Sequence, residues 1–117
     1  MIQASIYETD DVLRLSMTGH ADYAAHGQDI VCAAASILAT ALEDSLRLTG
    51  VPVTARTGPG KTVLRCPSAT PARTLFLMAA VGLGQLAAGY PDHVCVHLDE
   101  QWTDRTQNEK GDAPYGT

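Results

Sequence analysis

Ile2-Gln3-Ala4-Ser5-Ile6-Tyr7 and Leu13-Arg14-Leu15-Ser16-Met17-Thr18 are two runs of apolar–polar alternation, separated by the turn residues Thr9-Asp10-Asp11. Ile2, Ala4 and Ile6 point one way and Gln3, Ser5 and Tyr7 the other; Leu13, Leu15 and Met17 alternate in the same manner against Arg14, Ser16 and Thr18. A period of two with a short polar turn reads as a β-hairpin with one buried face.

Downstream, residues 19–29 hold two glycines, two histidines and no periodicity, and read as a loop. Ile30 to Thr49 reads as a helix. Asp29 is placed as its N-cap, able to accept from the unpaired N–H groups of the first turn, and Gly50 followed by Pro52 ends it. At 100° per residue, Ile30, Ala34, Ile37, Leu38, Ala41, Leu42 and Leu46 gather in one stripe. Cys32, Ser36, Glu43 and Arg47 fall outside it, the last two at a favourable i,i+4 spacing. A second strand pair, Val51–Thr57 and Lys61–Cys66, flanks Gly58-Pro59-Gly60, and Pro67 to Pro71 breaks the chain. A second helix, from Thr70 or Ala72 to Gly89, places Leu75, Met78, Ala79, Gly82, Leu83 and Leu86 on one face. Its reverse side (Leu77, Val81, Gly84, Ala88) is also apolar and small, so the expectation is that this outer face meets a second copy of the chain. Val94, Val96 and Leu98 alternate with His93, Cys95 and His97 in a last strand. The order ββαββαβ implies an α+β fold: a mainly antiparallel sheet of four to five strands with two helices packed on one face. Residues 1–100 are read as a single domain and 101–117 as a polar, loose tail.

Composition narrows the function classes. A length of 117 residues suits one domain, and 45% apolar against 18% charged residues suits a packed globule. The formal charge of −5 argues against a nucleic-acid partner. The three cysteines, Cys32, Cys66 and Cys95, are widely spaced and include no CxxC pair, which removes the usual signs of a zinc ribbon or dithiol redox site. No signal-peptide pattern opens the chain, and the expected setting is a reducing cytoplasm with free thiols. The uncharged run Thr74 to Pro91 carries Gln85 and three glycines, and reads as a buried helix in preference to a membrane span.

Chemistry concentrates in Gly19-His20-Ala21-Asp22-Tyr23-Ala24-Ala25-His26-Gly27-Gln28-Asp29-Ile30-Val31-Cys32. With Asp29 as N-cap, Cys32 is the third helical residue, where free N–H groups and the helix dipole favour a thiolate. An imidazole brought near it by the loop, that of His20, would complete a nucleophile and a proton donor for the leaving amine. Main-chain N–H groups of the same turn are candidates for holding an oxyanion. Asp29 has two open roles, cap of the helix or orienter of the His20 ring. Two other signals carry less. Ala55-Arg56-Thr57-Gly58-Pro59-Gly60-Lys61-Thr62 resembles a phosphate-binding loop but precedes a strand where that mechanism needs a helix, so it reads as a hairpin turn. His93, Cys95 and His97 share one strand face at a spacing awkward for one metal ion, and read as a solvated face.

Gly19-His20-Ala21 followed by Gly27-x-Asp29-Ile30-Val31-Cys32-Ala33-Ala34-x-Ser36 resembles the signature of the ribosomal-processing cysteine protease family, Prp, and the likeness extends over roughly residues 1–100. The resemblance implies a dimeric cytoplasmic endopeptidase with a Cys–His pair, needing no cofactor or metal. It implies as substrate the precursor of large-subunit ribosomal protein twenty-seven, from which a short N-terminal extension is removed. Carried over by position, Cys32 is the nucleophile and His20 the general base, with supporting roles for Asp29 and Ser36. Gly19 and Gly27 match the motif and are expected to let the loop move over a peptide; His26 is a poor second candidate for the base. The rival readings are a module that binds a ribosomal precursor or other peptide without cutting it, and a thiol redox sensor.

Overall fold

The computed structural model describes residues 1–25 and 27–99. Seven elements follow in the expected order: β1 (Ile2–Thr9), β2 (Val12–Thr18), α1 (Ile30–Leu48), β3 (Thr54–Gly58), β4 (Lys61–Pro67), α2 (Thr70–Gly89) and β5 (Val94–Leu98). One five-stranded sheet runs β3-β4-β2-β1-β5. Three of its pairings are antiparallel and the fourth, β1 with β5, is parallel, because α2 carries the chain across before β5 is laid down.

The first turn is tighter than its composition advertises. Asp10 and Asp11 both take positive φ (52° and 61°), the requirement of a two-residue hairpin turn whose twist matches its strands. Register then sets Ile6 opposite Leu15 and Ala4 opposite Met17, which puts both apolar sets on the face covered by the helices. Leu64 and Cys66 of β4 and Val94 of β5 join the same core.

Both helices are rotated from the stripe that their bulky residues suggest. In α1 the buried positions are Val31, Ala35, Ala39, Leu42 and Leu46, while Ile30 and Ile37 are 57% and 63% exposed. In α2 they are Ala72, Phe76, Ala79, Ala80 and Leu83, and Met78 is half exposed. Alanine supplies two of the five buried positions in α1 and three of the five in α2, which lets a helix sit close to a sheet. A reading weighted by side-chain size therefore points about one position off. Phe76, fully buried at the centre, was absent from the expected face. Gly82 does belong to the packing, since a Cβ there would meet Leu38 Cδ2 at 2.7 Å, so α1 and α2 approach through that gap. α2 is long and apolar enough to cross a membrane by length and composition, and here one side of it packs into the core.

The end of α1 follows its sequence signals. Gly50 at φ 81° lets Val51 N donate to Leu46 O and Gly50 N to Arg47 O, a Schellman closure. The strand expected from Val51 begins only at Thr54, because Val51 is engaged in that closure.

Candidate active site

Cys32 sits at the third position of α1 and lines a cleft of about 460 Å³. His20, Asp22, Ala24, Gly27, Asp29 and Ser36 line the same cleft. Strand β2 leads to His20, residues 21–25 and 27–29 of the following irregular segment form the rim, and the first turns of α1 form the floor with Cys32 and, one turn on, the exposed Ser36. The two residues expected to react thus share one cavity. No hydrogen bond joins the His20 ring to the Cys32 sulfur among the described residues. The ring rests instead over the β3–β4 turn, where a Cβ at Gly60 would lie 2.8 Å from His20 Nε2.

Asp29 is the cap, which decides between its two open roles. Its Oδ1 accepts from Val31 N (3.0 Å) and Cys32 N (2.9 Å), and its Oδ2 accepts from Tyr23 N (2.9 Å) and Ala24 N (3.4 Å). One carboxylate therefore fastens the loop to the helix start, and neither oxygen is directed to His20. The bond from Cys32 N is the chief reason that the carboxyl titrates below its ordinary range; desolvation opposes it, and the bonds from Tyr23, Ala24 and Val31 N add to the lowering. The same bonds occupy two N–H groups that the sequence reading offered to an oxyanion.

The donor that reaches the sulfur comes from elsewhere. Ala21 N–H donates to Cys32 Sγ at 3.3 Å. Ala21 is buried and also held through its carbonyl, which accepts from His93 Nδ1 at 2.8 Å. A carbonyl only accepts, so Nδ1 carries the ring proton there. Tyr23 packs edge-on against His93 and Tyr90, with ring centroids 5.3 Å apart in both pairs. His93 was expected on a solvated strand face; it lies just before β5 and ties that end of the sheet to the rim of the cleft. Only Cys95 and His97 share the outward face of β5, where Cys95 Sγ and Gln3 Oε1 both lie within hydrogen-bond reach of His97 Nε2. Among the described residues no group of three His, Cys, Asp or Glu side chains is placed to hold a metal ion.

The two glycines of the motif stand at positions of positive φ. Gly19 (φ 91°) is a close approach, for a Cβ there would stand 2.3 Å from the Met1 carbonyl oxygen. Gly27 has open space around it, and its φ of 88° is what calls for glycine. The phosphate-loop look-alike is indeed the β3–β4 turn, and it serves the site through Gly60: its carbonyl accepts from Gly19 N at 2.8 Å and its missing side chain makes room for His20. The sequence offered no signal for this, because Gly60 and His20 are forty residues apart and meet only through the β2–β4 pairing. Cys66 is buried in the core, where desolvation pushes its thiol up to about 11. His26 and the expected tail from residue 101 lie outside the described residues.

Comparison with known proteins agrees with this geometry. The family model for the cysteine protease Prp matches residues 1–95. A stretch of 35 residues is 57% identical to the ribosomal processing cysteine protease Prp of Bacillus subtilis, covering 28% of this chain and 31% of that protein, under a third of its length. The crystal structure of the essential ribosomal processing protease Prp from S. aureus, in complex with a covalently linked product peptide, superimposes with a TM-score of 0.77 over 85% of this chain and 100% of that one, at 24% identity. SMU.848 from Streptococcus mutans superimposes with a TM-score of 0.65 over 84% of this chain and 93% of that one, at 27% identity. With the motif, the fold and the cleft in agreement over four-fifths of its length, the chain belongs to the cysteine protease Prp family.

Proposed function

We propose that this chain is a Cys–His endopeptidase in which Cys32 is the nucleophile and His20 the proton carrier. The observation that carries the reading is the placement of Cys32 on the first turn of α1, its sulfur accepting from Ala21 N–H, in a cleft that His20 also lines. His20 takes the proton of the Cys32 thiol, and Sγ attacks the scissile carbonyl carbon, its electron pair forming the C–S bond while the carbonyl π pair moves onto oxygen. As charge leaves sulfur for that oxygen, Ala21 N–H is the adjacent main-chain donor able to follow it. Collapse of the intermediate expels the amine, which takes its proton from His20, and leaves an acyl-thioester. His20 then removes a proton from water, whose oxygen attacks the acyl carbon and displaces the sulfur, and that proton returns to the departing Cys32 thiolate. The separation of His20 from Cys32 is in keeping with sites whose catalytic hydrogen bonds tighten only around substrate. Asp29 keeps the helix start and the rim in one piece, and Ser36 offers a hydroxyl to a bound peptide.

The proposed substrate is the N-terminal extension of the precursor of large-subunit ribosomal protein twenty-seven. Family membership and the ribosomal processing role for which the B. subtilis relative is named support it. The same reading places the enzyme in the cytoplasm as a homodimer through the outer side of α2, where Met78 is half exposed. Incubating the purified chain with a peptide spanning the precursor's extension tests the proposal. Cleavage is expected from the wild type, and a loss of at least about 10³-fold from Cys32→Ala and from His20→Ala, with unchanged melting temperatures. Trimming by Cys32→Ala at the wild-type rate would overturn the mechanism. Cleavage of other peptides but not this one would overturn the substrate alone, and a monomeric mass in sedimentation at micromolar concentration would overturn the dimer.

A further inference from the structure

The face of the sheet turned away from the helices is basic, although the chain carries a net charge of −5. Arg14 of β2, Arg56 of β3, and Lys61 and Arg65 of β4 share its outward positions, and they are four of the six lysines and arginines in residues 1–99. Among the described residues no Asp or Glu occupies an outward position of a strand. The other two bases each have a carboxylate partner: Arg47 with Glu43 at 2.9 Å and Arg73 with Glu8 at 2.6 Å. None of the four on the sheet takes part in an ion pair among the described residues.

The arrangement concentrates this charge. Arg14 stands directly opposite Arg65 across the β2–β4 pairing, and Arg56, opposite Val63, lies one diagonal step from Arg65. Like charges directly opposite on a sheet repel. Arg14 is laid over the Tyr7 ring at 5.7 Å, and its Nε is buried with no hydrogen-bond partner. Three arginines thus share neighbouring positions on one face of the sheet, and none of them is in an ion pair among the described residues.

We propose that this face binds the phosphate backbone of single-stranded RNA. Guanidinium groups recognise phosphate oxygens through paired N–H donors, and the Arg14 guanidinium, backed by the Tyr7 ring, is a plane on which a base can stack. A second copy of the chain does not suit the face, since it would meet its own positive charge. A lipid surface does not suit it either, since its central apolar side chain, Val63, is buried flush with the strands. The net charge, which argued against nucleic acid, averages over a distribution that the fold separates by face. The proposal is independent of the peptidase reading, for none of these side chains lines the cleft.

Fluorescence anisotropy of the full chain with a labelled 20-nucleotide oligouridylate, across 50–300 mM KCl, tests it. Three to four phosphate contacts imply a slope of log K against log salt of about −2 to −3. The triple variant Arg14→Gln/Arg56→Gln/Arg65→Gln is expected to bind at least about tenfold more weakly, with a slope near −1 or flatter. Arg56→Gln alone, on the exposed edge strand where folding is not at stake, should flatten the slope by roughly 0.7. Arg47→Gln, off the face, should change nothing. No binding by the wild type, or undiminished binding by both face variants, overturns the proposal. A polyglutamate of matched charge that competes as well as RNA also overturns it, reassigning the face to an acidic protein.

Discussion

The chain passes from strand to helix twice, and the two junctions are built to opposite ends. From β4 to α2 it spends two residues, Ser68 and Ala69; from β2 to α1 it spends eleven, Gly19 to Asp29. The third helical residue is Ala72 in the first case, fully buried, and Cys32 in the second, half-buried at a cleft. α2 starts without a side-chain cap, and polar contacts fix its entry from outside: Ser68 Oγ and Arg73 both donate to Glu8, and Ser68 N donates to Asp11 O. α1 starts on a carboxylate that gathers four backbone N–H groups. A short junction presses the helix start into the core, whereas a long one, if fastened, holds it open to solvent beside a wall of its own loop. Catalytic side chains concentrate on loops of this second kind, held by a rigid scaffold.

The largest effect expected from breaking this contrast lies on the buried side. Phe76→Ala, at the seventh residue of α2, should cost about 3–5 kcal/mol in urea unfolding, since its ring is fully enclosed. A loss below about 1 kcal/mol would mean that α2 is not the core element described. Next comes Gly60→Ala, where the new Cβ meets both a positive φ of 66° and the His20 ring. The backbone strain is worth roughly 1–2 kcal/mol, while kcat should fall on the order of 10²-fold because the imidazole is displaced. An unchanged kcat would separate His20 from the chemistry.

His93→Phe sharpens the comparison from the rim. It keeps a ring against Tyr23 and removes the donor to the Ala21 carbonyl, so kcat/KM should fall roughly three- to tenfold with little change in melting temperature. Equal activity would show that Ala21 needs no second anchor. The smallest effects come from exchanging the caps. Ala69→Asp should stabilise α2 by about 1 kcal/mol, its backbone already being extended as a cap requires. Asp29→Ala should lower the melting temperature, and the sign of its pH dependence follows from the depressed carboxyl. The wild-type advantage is complete above the unfolded value of about 3.9 and is lost as pH falls through the lower folded value. A gap between the two proteins that persists undiminished at pH 2 would count against Asp29 as the cap.

The element order and the class of fold were legible because alternation, capping and turn residues act over a few positions, and those signals survive folding. The same holds for Cys32 at the start of a capped helix. Helix rotation was not legible: Ile30 and Ile37 outweigh Ala35 and Ala39 on a wheel, yet a seam against a sheet favours small residues. Nor were the partners of the site. Gly60 under the His20 ring and His93 on the Ala21 carbonyl join positions forty and seventy-two residues apart, and no local pattern encodes either contact.

The amino-acid order by itself determined a hairpin with one apolar face, a capped helix with a cysteine in its first turn, and a motif that marks the family. Tertiary structure decided what that motif means atom by atom: which donors the carboxylate consumes, which N–H reaches the sulfur, and where the imidazole rests. It also decided that a chain of net negative charge shows one positive face. Local preferences arise between neighbours in sequence, whereas charge patterns and hydrogen-bond partners across a site depend on strand register, and register is settled only when the apolar face of the whole sheet is buried at once.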